Sequence, residues 1–239
     1  MNINTSAIVI HSLRYGEADL IVSLYTRESG LRSYLLKGIV KSKRGKLRIS
    51  CFQPLTLLEI EAVHRDKGSL ERIKDAKIKT VYTSLHSDFV KSSLVFFVSE
   101  ILKNSIQEEE ANVALFEYIE TTLLWLDTHE TMGNFHIVFL TKLTQYLGFY
   151  PDISHLELDY FNLEEGVFQS TSTNIHCIKG DQVEQFKRFL GTTFETSMSI
   201  KLSKNLRREL LTMLLVYFEL HLHGFRKPKS LSVLNEIFS

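Results

Sequence analysis

The spacing of hydrophobic residues changes near residue 80 of this 239-residue chain. Before that point, hydrophobic residues occur in short runs rich in β-branched side chains, and Leu20, Val22 and Leu24 fall on one face, as in strands. Five such runs cover residues 6–16, 19–26, 31–40, 54–63 and 70–82. We predict a small closed or partly closed five-stranded barrel over residues 1–80, with a hairpin around the Gly-bearing turn at 27–30. A five-stranded Greek-key barrel of this size is the OB-fold, which often binds single strands.

After residue 80, hydrophobic residues recur with the period of an α-helix. Leu94, Phe97 and Ile101 share one helical face, and similar patterns cover residues 115–126, 135–148 and 230–238. Residues 206–224 are apolar on nearly all sides in the middle, which predicts the buried central helix of a bundle. The helical period lapses between Pro151 and Gly180. We predict a C-terminal α-helical domain over residues 81–239, with a short non-helical insert at about 151–180 that contains a strand–turn–strand.

Charge is distributed unevenly, although the whole chain is neutral with 28 basic and 28 acidic residues. Residues 1–80 contain 15 Lys/Arg and 8 Asp/Glu, whereas residues 81–239 contain 13 and 20. Such asymmetry predicts a polyanionic partner for the basic residues 1–80.

The basic charge is concentrated in residues 34–50, which contain no acid. The cations are Lys37, Lys41, Lys43, Arg44, Lys46 and Arg48. Long cationic side chains neutralise phosphates without reading sequence, so this connection between the third and fourth strands is a candidate DNA contact. A solvated loop is the alternative. Tyr34 and Phe52 flank the segment, and either they stack on bases or they belong to the core.

A second basic group precedes and enters the predicted central helix. Lys201, Lys204 and Arg208 follow an i, i+3, i+7 spacing, which predicts one shared face, with Arg207 on the next face. Because the surrounding half is acidic, we interpret this face either as an extension of the DNA path or as a site for an acidic peptide.

Sequence motifs of catalysis do not occur in this chain. It has no G-x-x-x-x-G-K-[ST], G-x-G-x-x-G, H-E-x-x-H or G-x-S-x-G. His221 and His223 are two residues apart, which separates them around a helix. Cys51 and Cys177 are too few for a structural zinc site. We therefore expect no catalytic residue, no metal, no cofactor and no enzymatic activity. With so few cysteines, no recognisable signal peptide and no apolar run of roughly 18–20 residues, we expect a cytoplasmic protein without a membrane partner.

The first 60 residues carry a more specific pattern. An apolar strand is followed by Tyr15, Gly16, Glu17 and Asp19, then by a strand that ends in Thr, by a Gly, and by Lys37 and Gly38 before further cations. This pattern resembles the opening of RecO, a family of bacterial DNA repair and recombination mediators. The resemblance continues through residues 52–61, 140–152 and 217–234.

The resemblance implies an N-terminal OB-fold and a C-terminal helical domain. It also implies binding of single- and double-stranded DNA, ATP-independent annealing of complementary strands, and loading of RecA together with RecR and, in some members, RecF. A nucleoid-associated location in the cytoplasm follows from these activities. Many members also bind the acidic C-terminal tail of single-strand-binding protein, and Lys204, Arg207 and Arg208 are our candidates for that contact.

This chain departs from the family in one respect. Many members carry four zinc-binding cysteines after a Gly-Phe-x-Pro segment, but residues 151–180 contain Cys177 alone. We expect that the zinc site is absent and that the short insert takes its place. A different class of function also stays open: a protein-interaction adaptor of the repair complex, whose acidic helical half is the main surface and whose DNA binding is incidental.

Overall fold

The computed structural model describes residues 1–42, 47–65, 70–106, 110–130 and 132–238. These residues divide into two compact units, Met1–Thr128 and His129–Ser239. Strands give way to helices near residue 80, as predicted, but the first two helices belong to the same compact unit as the first sheet. The division of the chain into domains at residue 80 stays a prediction.

Five antiparallel strands form the sheet of the first unit, in the order β3-β2-β1-β4-β5. They are β1 (Asn2–Tyr15), β2 (Asp19–Thr26), β3 (Gly30–Leu36), β4 (Leu57–Val63) and β5 (Arg72–Ile78). The predicted hairpin joins β2 to β3, with Thr26 opposite Gly30. Gly30 has a φ of +62°, a backbone conformation that favours glycine. The predicted mixture of an N-terminal five-stranded β structure and a C-terminal helical part is confirmed.

The sheet is not closed into a barrel, so of the two predicted forms, closed or partly closed, the fully closed one does not occur. In the described residues, the edge strand β3 meets the segment before β5 at an isolated parallel bridge between Tyr34 and Glu71. The Leu35 N–H donates to the Glu71 carbonyl at 3.1 Å, and the Glu71 N–H donates to the Ser33 carbonyl at 2.8 Å. Irregular pairing in β1 and between β4 and β5 bends the sheet, as β-bulges do, but no continuous ladder joins the two edges in this part of the chain.

Both faces of the first sheet are covered near its centre. Ala7 and Val9 of β1 face the core of the curled sheet, whereas Ile8 and Ile10 point to the opposite face, and these four side chains are at most 1% exposed. Two helices, α1 (Phe89–Ser105) and α2 (Val113–Thr128), follow β5. The Ser99 hydroxyl of α1 donates to the Ile10 carbonyl at 2.7 Å, which fixes α1 against β1.

The second unit combines helices with a small sheet in the order β7-β6-β8. Its strands are β6 (Tyr160–Asn162), β7 (Val167–Gln169) and β8 (Cys177–Lys179), and its helices are α3 (Phe135–Tyr146), α4 (Asp181–Lys187), α5 (Phe194–Ser197), α6 (Lys204–His221) and α7 (Leu231–Ile237). The predicted strand–turn–strand is confirmed as β6 and β7. β8, α4 and α5 were not predicted.

The central helix of the second unit is α6. Its residues Leu210, Leu214 and Phe218 are fully buried, and it packs against α3 and α4. The prediction of a buried central helix is therefore confirmed for its middle turns. The N-terminal end of α6 is less buried than its middle turns.

Candidate nucleic-acid interface

The basic connection of the first unit begins where β3 ends, and backbone contacts fix its first residues. Gly38 has a φ of +69°, and its N–H donates to the Asp19 carboxylate at 2.7 Å. The Val40 N–H donates to the Ala18 carbonyl at 2.9 Å. These bonds hold the start of the connection against the turn between β1 and β2, and they give Asp19 and Gly38 structural roles.

Three of the six predicted cations are described, and all three are exposed: Lys37, Lys41 and Arg48. Lys41 Nζ lies 2.8 Å from the Glu17 carboxylate, with side chains that are 63% and 89% exposed. Such a surface pair contributes about 0–1 kcal/mol and is screened by salt, so a phosphate can compete with Glu17 for Lys41. Lys43, Arg44 and Lys46 lie outside the described residues.

The two flanking aromatic residues belong to the core. Tyr34 is fully buried, and its hydroxyl lies 2.7 Å from His64 Nε2. Burial raises the pKa of Tyr34. Phe52, at the end of a 3₁₀ helix (Ile49–Phe52), is 1% exposed. Neither ring can stack on a base without leaving the core, so Tyr34 fits the core interpretation and not the DNA-contact interpretation.

A cavity of about 620 Å³ lies at the open seam between β3 and β5, and we refer to it as the seam cavity. Its cationic lining residues are Lys37, Arg65, Arg72 and Lys74, and its apolar lining includes Ile39, Leu47, Leu70 and Ile73. The last three of these cations are not part of the basic run at residues 37–48. Arg72 and Lys74 are two residues apart on β5, a spacing that places both on one face of a strand. This alternating spacing in the sequence could have identified Arg72 and Lys74 as two cations on one face of a strand.

The second basic group has a different geometry from the predicted one. Helix α6 begins at Lys204, because the Ser203 hydroxyl caps it by accepting the Leu206 N–H at 3.2 Å. Ser203 itself has an extended backbone, so Lys201 precedes the helix. The predicted helical face shared by Lys201, Lys204 and Arg208 is therefore wrong for Lys201, although all three side chains are exposed.

The first turns of α6 form one side of a small cleft. Lys204, Arg207 and Arg208 line it together with His136 of α3 and Phe238, and its volume is about 30 Å³. The first turn of α6 contains no acidic residue, and the N-terminal end of a helix dipole attracts anions. A space of this size holds about one water molecule, or a group such as a carboxylate.

Two polar atoms at this cleft have no hydrogen-bond partner in the described structure: His136 Nδ1 and Arg207 Nε. Burial and, to a smaller extent, the Arg207 charge lower the pKa of His136 to about 3, so the imidazole is neutral near pH 7. The other end of the Arg207 guanidinium donates to the Phe238 carbonyl at 3.3 Å. Buried polar groups without hydrogen-bond partners are costly, so binding of a ligand that supplies those partners is favoured.

An apolar cavity of about 350 Å³ adjoins the cleft. Arg208 and Asn235 line both spaces, and Leu163, Ile178, Met213 and Val216 supply apolar walls to the larger one. Arg208 therefore borders both an anion-sized cleft and an apolar cavity. Arg208 was predicted as a site residue from the sequence. The cavity was not predicted, because its lining comes from several elements of the second unit.

Other chemistry has little support in the described residues. They contain no group of three or more His, Cys, Asp or Glu side chains that could hold a metal ion. Cys177 Sγ instead accepts hydrogen bonds from Gln169 Nε2 at 3.2 Å and from the Thr173 N–H at 3.4 Å. In the same part of the chain, no helix combines the length and the apolar character needed to cross a bilayer.

The fold defines a class of two-part proteins, in which a five-stranded sheet with a basic connection is followed by a helical unit. Comparison with known families identifies the family. The family model described as Recombination protein O N terminal matches residues 1–82, and the one described as Recombination protein O C terminal matches residues 86–231. The chain belongs to the RecO family, and its role lies in DNA repair and recombination.

Similar proteins support this assignment along the whole chain. A protein of Christiangramia forsetii is 51% identical over 238 residues, and one of Flavobacterium psychrophilum is 47% identical over 239 residues, each covering 100% of both chains. A protein of Bacteroides fragilis is 37% identical over 238 residues, covering 98% of each chain. All three carry the name DNA repair protein RecO.

Proposed function

We propose that this chain is a recombination mediator that binds single- and double-stranded DNA and anneals complementary strands without ATP. In the same proposal it helps RecR, and RecF where that protein is used, to load RecA onto DNA. The observation that carries the proposal is the group of exposed cations on an acid-free connection at the sheet edge: Lys37, Lys41 and Arg48. Membership of the RecO family supports it.

The physical basis of annealing fits these features. Two complementary strands repel each other through their phosphates, and cations that neutralise both lower that repulsion. The bases stay free to pair, because the cations contact phosphates and do not read sequence. Pairing itself supplies the free energy, so nucleotide hydrolysis is not required. The absence of nucleotide-binding motifs in the sequence agrees with this scheme.

We also propose that the second unit holds the acidic C-terminal tail of single-strand-binding protein. Arg208 lines both a small cationic cleft and an apolar cavity, and this arrangement suits a peptide that ends in a carboxylate beside an apolar side chain. Lys204 and Arg207 add positive charge to the cleft. The unpaired Nδ1 and Nε atoms of His136 and Arg207 favour a polar ligand there.

The DNA contact is tested by neutralising the three described cations together, as Lys37→Gln, Lys41→Gln and Arg48→Gln. If each contacts a phosphate, the slope of log affinity against log salt for single strands flattens by about 2.1. Fluorescence anisotropy with a labelled oligonucleotide measures the affinity and its dependence on salt. The matched control removes three exposed lysines elsewhere, at positions 77, 103 and 229. Equal affinities and slopes in the two triple variants contradict the DNA contact.

The tail contact is tested with an acidic peptide that ends in an apolar residue. Arg208→Gln is expected to weaken binding at least tenfold, because a hydrogen bond to a charged group contributes about 1.5–3 kcal/mol. Lys229→Gln is the control. A peptide with an amidated C-terminus is expected to bind the wild-type chain as weakly as the free peptide binds the variant. Equal binding of the free and amidated peptides excludes carboxylate recognition.

The adaptor function is distinguished by the same variants. The apolar cavity beside Arg208 is the observation that favours it. An adaptor loses partner binding in Arg208→Gln, and its function does not depend on annealing, so it is unaffected in the triple variant of the basic connection. The mediator loses annealing in the triple variant. Lack of enzymatic activity stays a prediction, and metal-dependent cleavage of a labelled strand would contradict it.

A further inference from the structure

We propose that residues 231–238 are an internal competitor for the cleft at the start of α6, and that they leave this cleft when an acidic peptide binds there. We refer to these residues, which comprise α7 and Phe238, as the closing segment. The inference rests on the proposed tail contact. It adds regulation to that site, because the closing segment then limits the affinity of the peptide.

The closing segment supplies part of the wall of the cleft, through Leu234, Asn235 and Phe238. The Phe238 ring packs on His136, with ring centroids 5.0 Å apart. The Phe238 carbonyl accepts a hydrogen bond from Arg207 Nη1 at 3.3 Å. A ring and a carbonyl of this chain therefore contact the residues that a peptide with an apolar side chain and a carboxylate would use.

The sequence of the closing segment has the chemistry of the proposed ligand. Glu236 is followed by two apolar residues, Ile237 and Phe238. The proposed tail contact likewise requires an acidic peptide that ends in an apolar residue. Two segments of similar chemistry that use the same cation exclude each other, so the closing segment is suited to compete with such a peptide.

The internal contact leaves the cleft incompletely satisfied. Arg207 Nε and His136 Nδ1 are buried without a hydrogen-bond partner in the described structure. Arg207 forms no ion pair with a described residue, and burial lowers the pKa of its guanidinium. A hydrogen bond to a carboxylate is about twice as strong as one to a neutral carbonyl. A peptide carboxylate therefore gains interactions that the closing segment does not provide, which favours exchange.

The closing segment is also weakly held. Helix α7 has seven residues, and Leu234 is the one buried residue among them. A helix of this length depends on packing for its stability. Segments with few buried apolar contacts open at low cost in free energy. Release of the closing segment therefore needs little more than the exposure of Leu234 and of the Phe238 ring.

A permanent wall is the alternative explanation for Phe238. In that case the closing segment stays in place and the peptide binds beside it. The cleft in its closed form measures about 30 Å³, which is room for about one water molecule or a carboxylate group. Asn235 lines both this cleft and the adjoining apolar cavity, so a peptide that fills both contacts the closing segment. The unpaired atoms of Arg207 and His136 also favour exchange over a permanent wall, because a permanent contact is expected to satisfy them.

The experiment measures binding of a labelled acidic peptide that ends in an apolar residue to the full chain, by fluorescence anisotropy. Phe238→Ala removes the ring from His136, and it is expected to raise the affinity about 2- to 12-fold, since loss of one aromatic contact increases the fraction of open cleft by that factor. Val233→Ala is the matched control, because Val233 lies on α7 but is 43% exposed and does not line the cleft. The control is expected to bind like the wild type.

The outcomes separate this inference from the tail contact on which it rests. If neither the wild type nor Phe238→Ala binds the peptide, both are wrong. If both bind with equal affinity, the tail contact stands and the competition is wrong. Weaker binding by Phe238→Ala identifies Phe238 as a permanent wall and also overturns the competition. Binding by Phe238→Ala alone supports both.

A second readout follows the closing segment directly. Phe238→Trp places an indole in the cleft, and the wild type, whose single tryptophan is Trp125 in the first unit, gives the background emission. Saturation with a peptide that lacks tryptophan is expected to increase quenching of the added indole by acrylamide, because the closing segment moves into solvent. Unchanged or reduced quenching contradicts displacement.

Discussion

Asp127, in the last turn of α2, holds the segment that joins β5 to α1. Its carboxylate accepts backbone N–H groups of Thr83 at 2.9 Å, Ser84 at 2.8 Å and Leu85 at 2.8 Å. It also accepts the Thr83 hydroxyl at 3.0 Å. We predict that Asp127→Asn destabilises the first unit, because an amide oxygen accepts these bonds more weakly and the new NH₂ group faces donors.

The magnitude follows from the pKa of the carboxyl group. Burial raises the pKa of Asp127, but the hydrogen bonds from residues 83–85 outweigh burial and lower it from 3.8 to about 2. This lowering of the pKa corresponds to about 2 kcal/mol. We expect the asparagine variant to lose about 1–2 kcal/mol of it, because the amide oxygen still accepts some of these bonds. Because the folded pKa lies below the unfolded one, this stability is complete above about pH 5 and is lost as the pH falls through about 4 to 2.

Urea unfolding at several pH values tests this reasoning. Near pH 7, Asp127→Asn is expected to lower the free energy of unfolding of the first unit by about 1–2 kcal/mol, and the difference narrows towards pH 2. The exposed Asp159→Asn is the control. Wild-type stability of Asp127→Asn at neutral pH, or a difference that does not depend on pH, would refute the role of the carboxylate.

Two further predictions concern the packing of each unit. Gly166 has a φ of +69°, and an added Cβ would lie 2.5 Å from the Tyr217 hydroxyl oxygen, whereas Gly148, just after the C-cap of α3, has a φ of +85° and no atom within 4 Å of that position. Gly148→Ala is expected to cost about 1–2 kcal/mol and Gly166→Ala about 1–3 kcal/mol more, measured by urea unfolding; equal costs contradict the overlap. Tyr34→Phe removes the hydroxyl contact with His64 and is expected to cost about 1 kcal/mol while leaving DNA affinity unchanged. A loss of affinity without loss of stability would restore the base-stacking interpretation.

Local patterns in the sequence were sufficient for most of the fold. The strands of the first sheet, the helices α1, α2, α3 and α6, and the β6–β7 hairpin all follow from periodicity and turn residues. The short elements β8 and α5, of 3 and 4 residues, are too brief to show a period. The sequence left the closure of the sheet undecided, because closure depends on how two edges distant in sequence meet. Tyr34 and Glu71 form a bridge there, but no local pattern indicates where the pairing stops.

The candidate site was predictable where charge is concentrated in sequence and not where it is assembled in space. The cations of residues 37–48 were visible as a run. Arg65 and Arg72 join Lys37 because β5 returns beside β3, which the strand order alone does not reveal. The predicted helical face was wrong for Lys201, because Ser203 caps α6 and the helix begins only at Lys204. For Tyr34, the sequence could not decide between core and surface, since an aromatic residue in a strand fits both.

The central claim is that this chain brings complementary strands together by neutralising their phosphates. The most direct measurement follows annealing of two labelled complementary oligonucleotides, without nucleotide, across a salt series. We predict rapid annealing at low salt that falls steeply as salt rises, and slower annealing in the triple variant of Lys37, Lys41 and Arg48. Absence of annealing and of DNA binding at low salt would contradict the account and would leave the basic connection as a solvated surface.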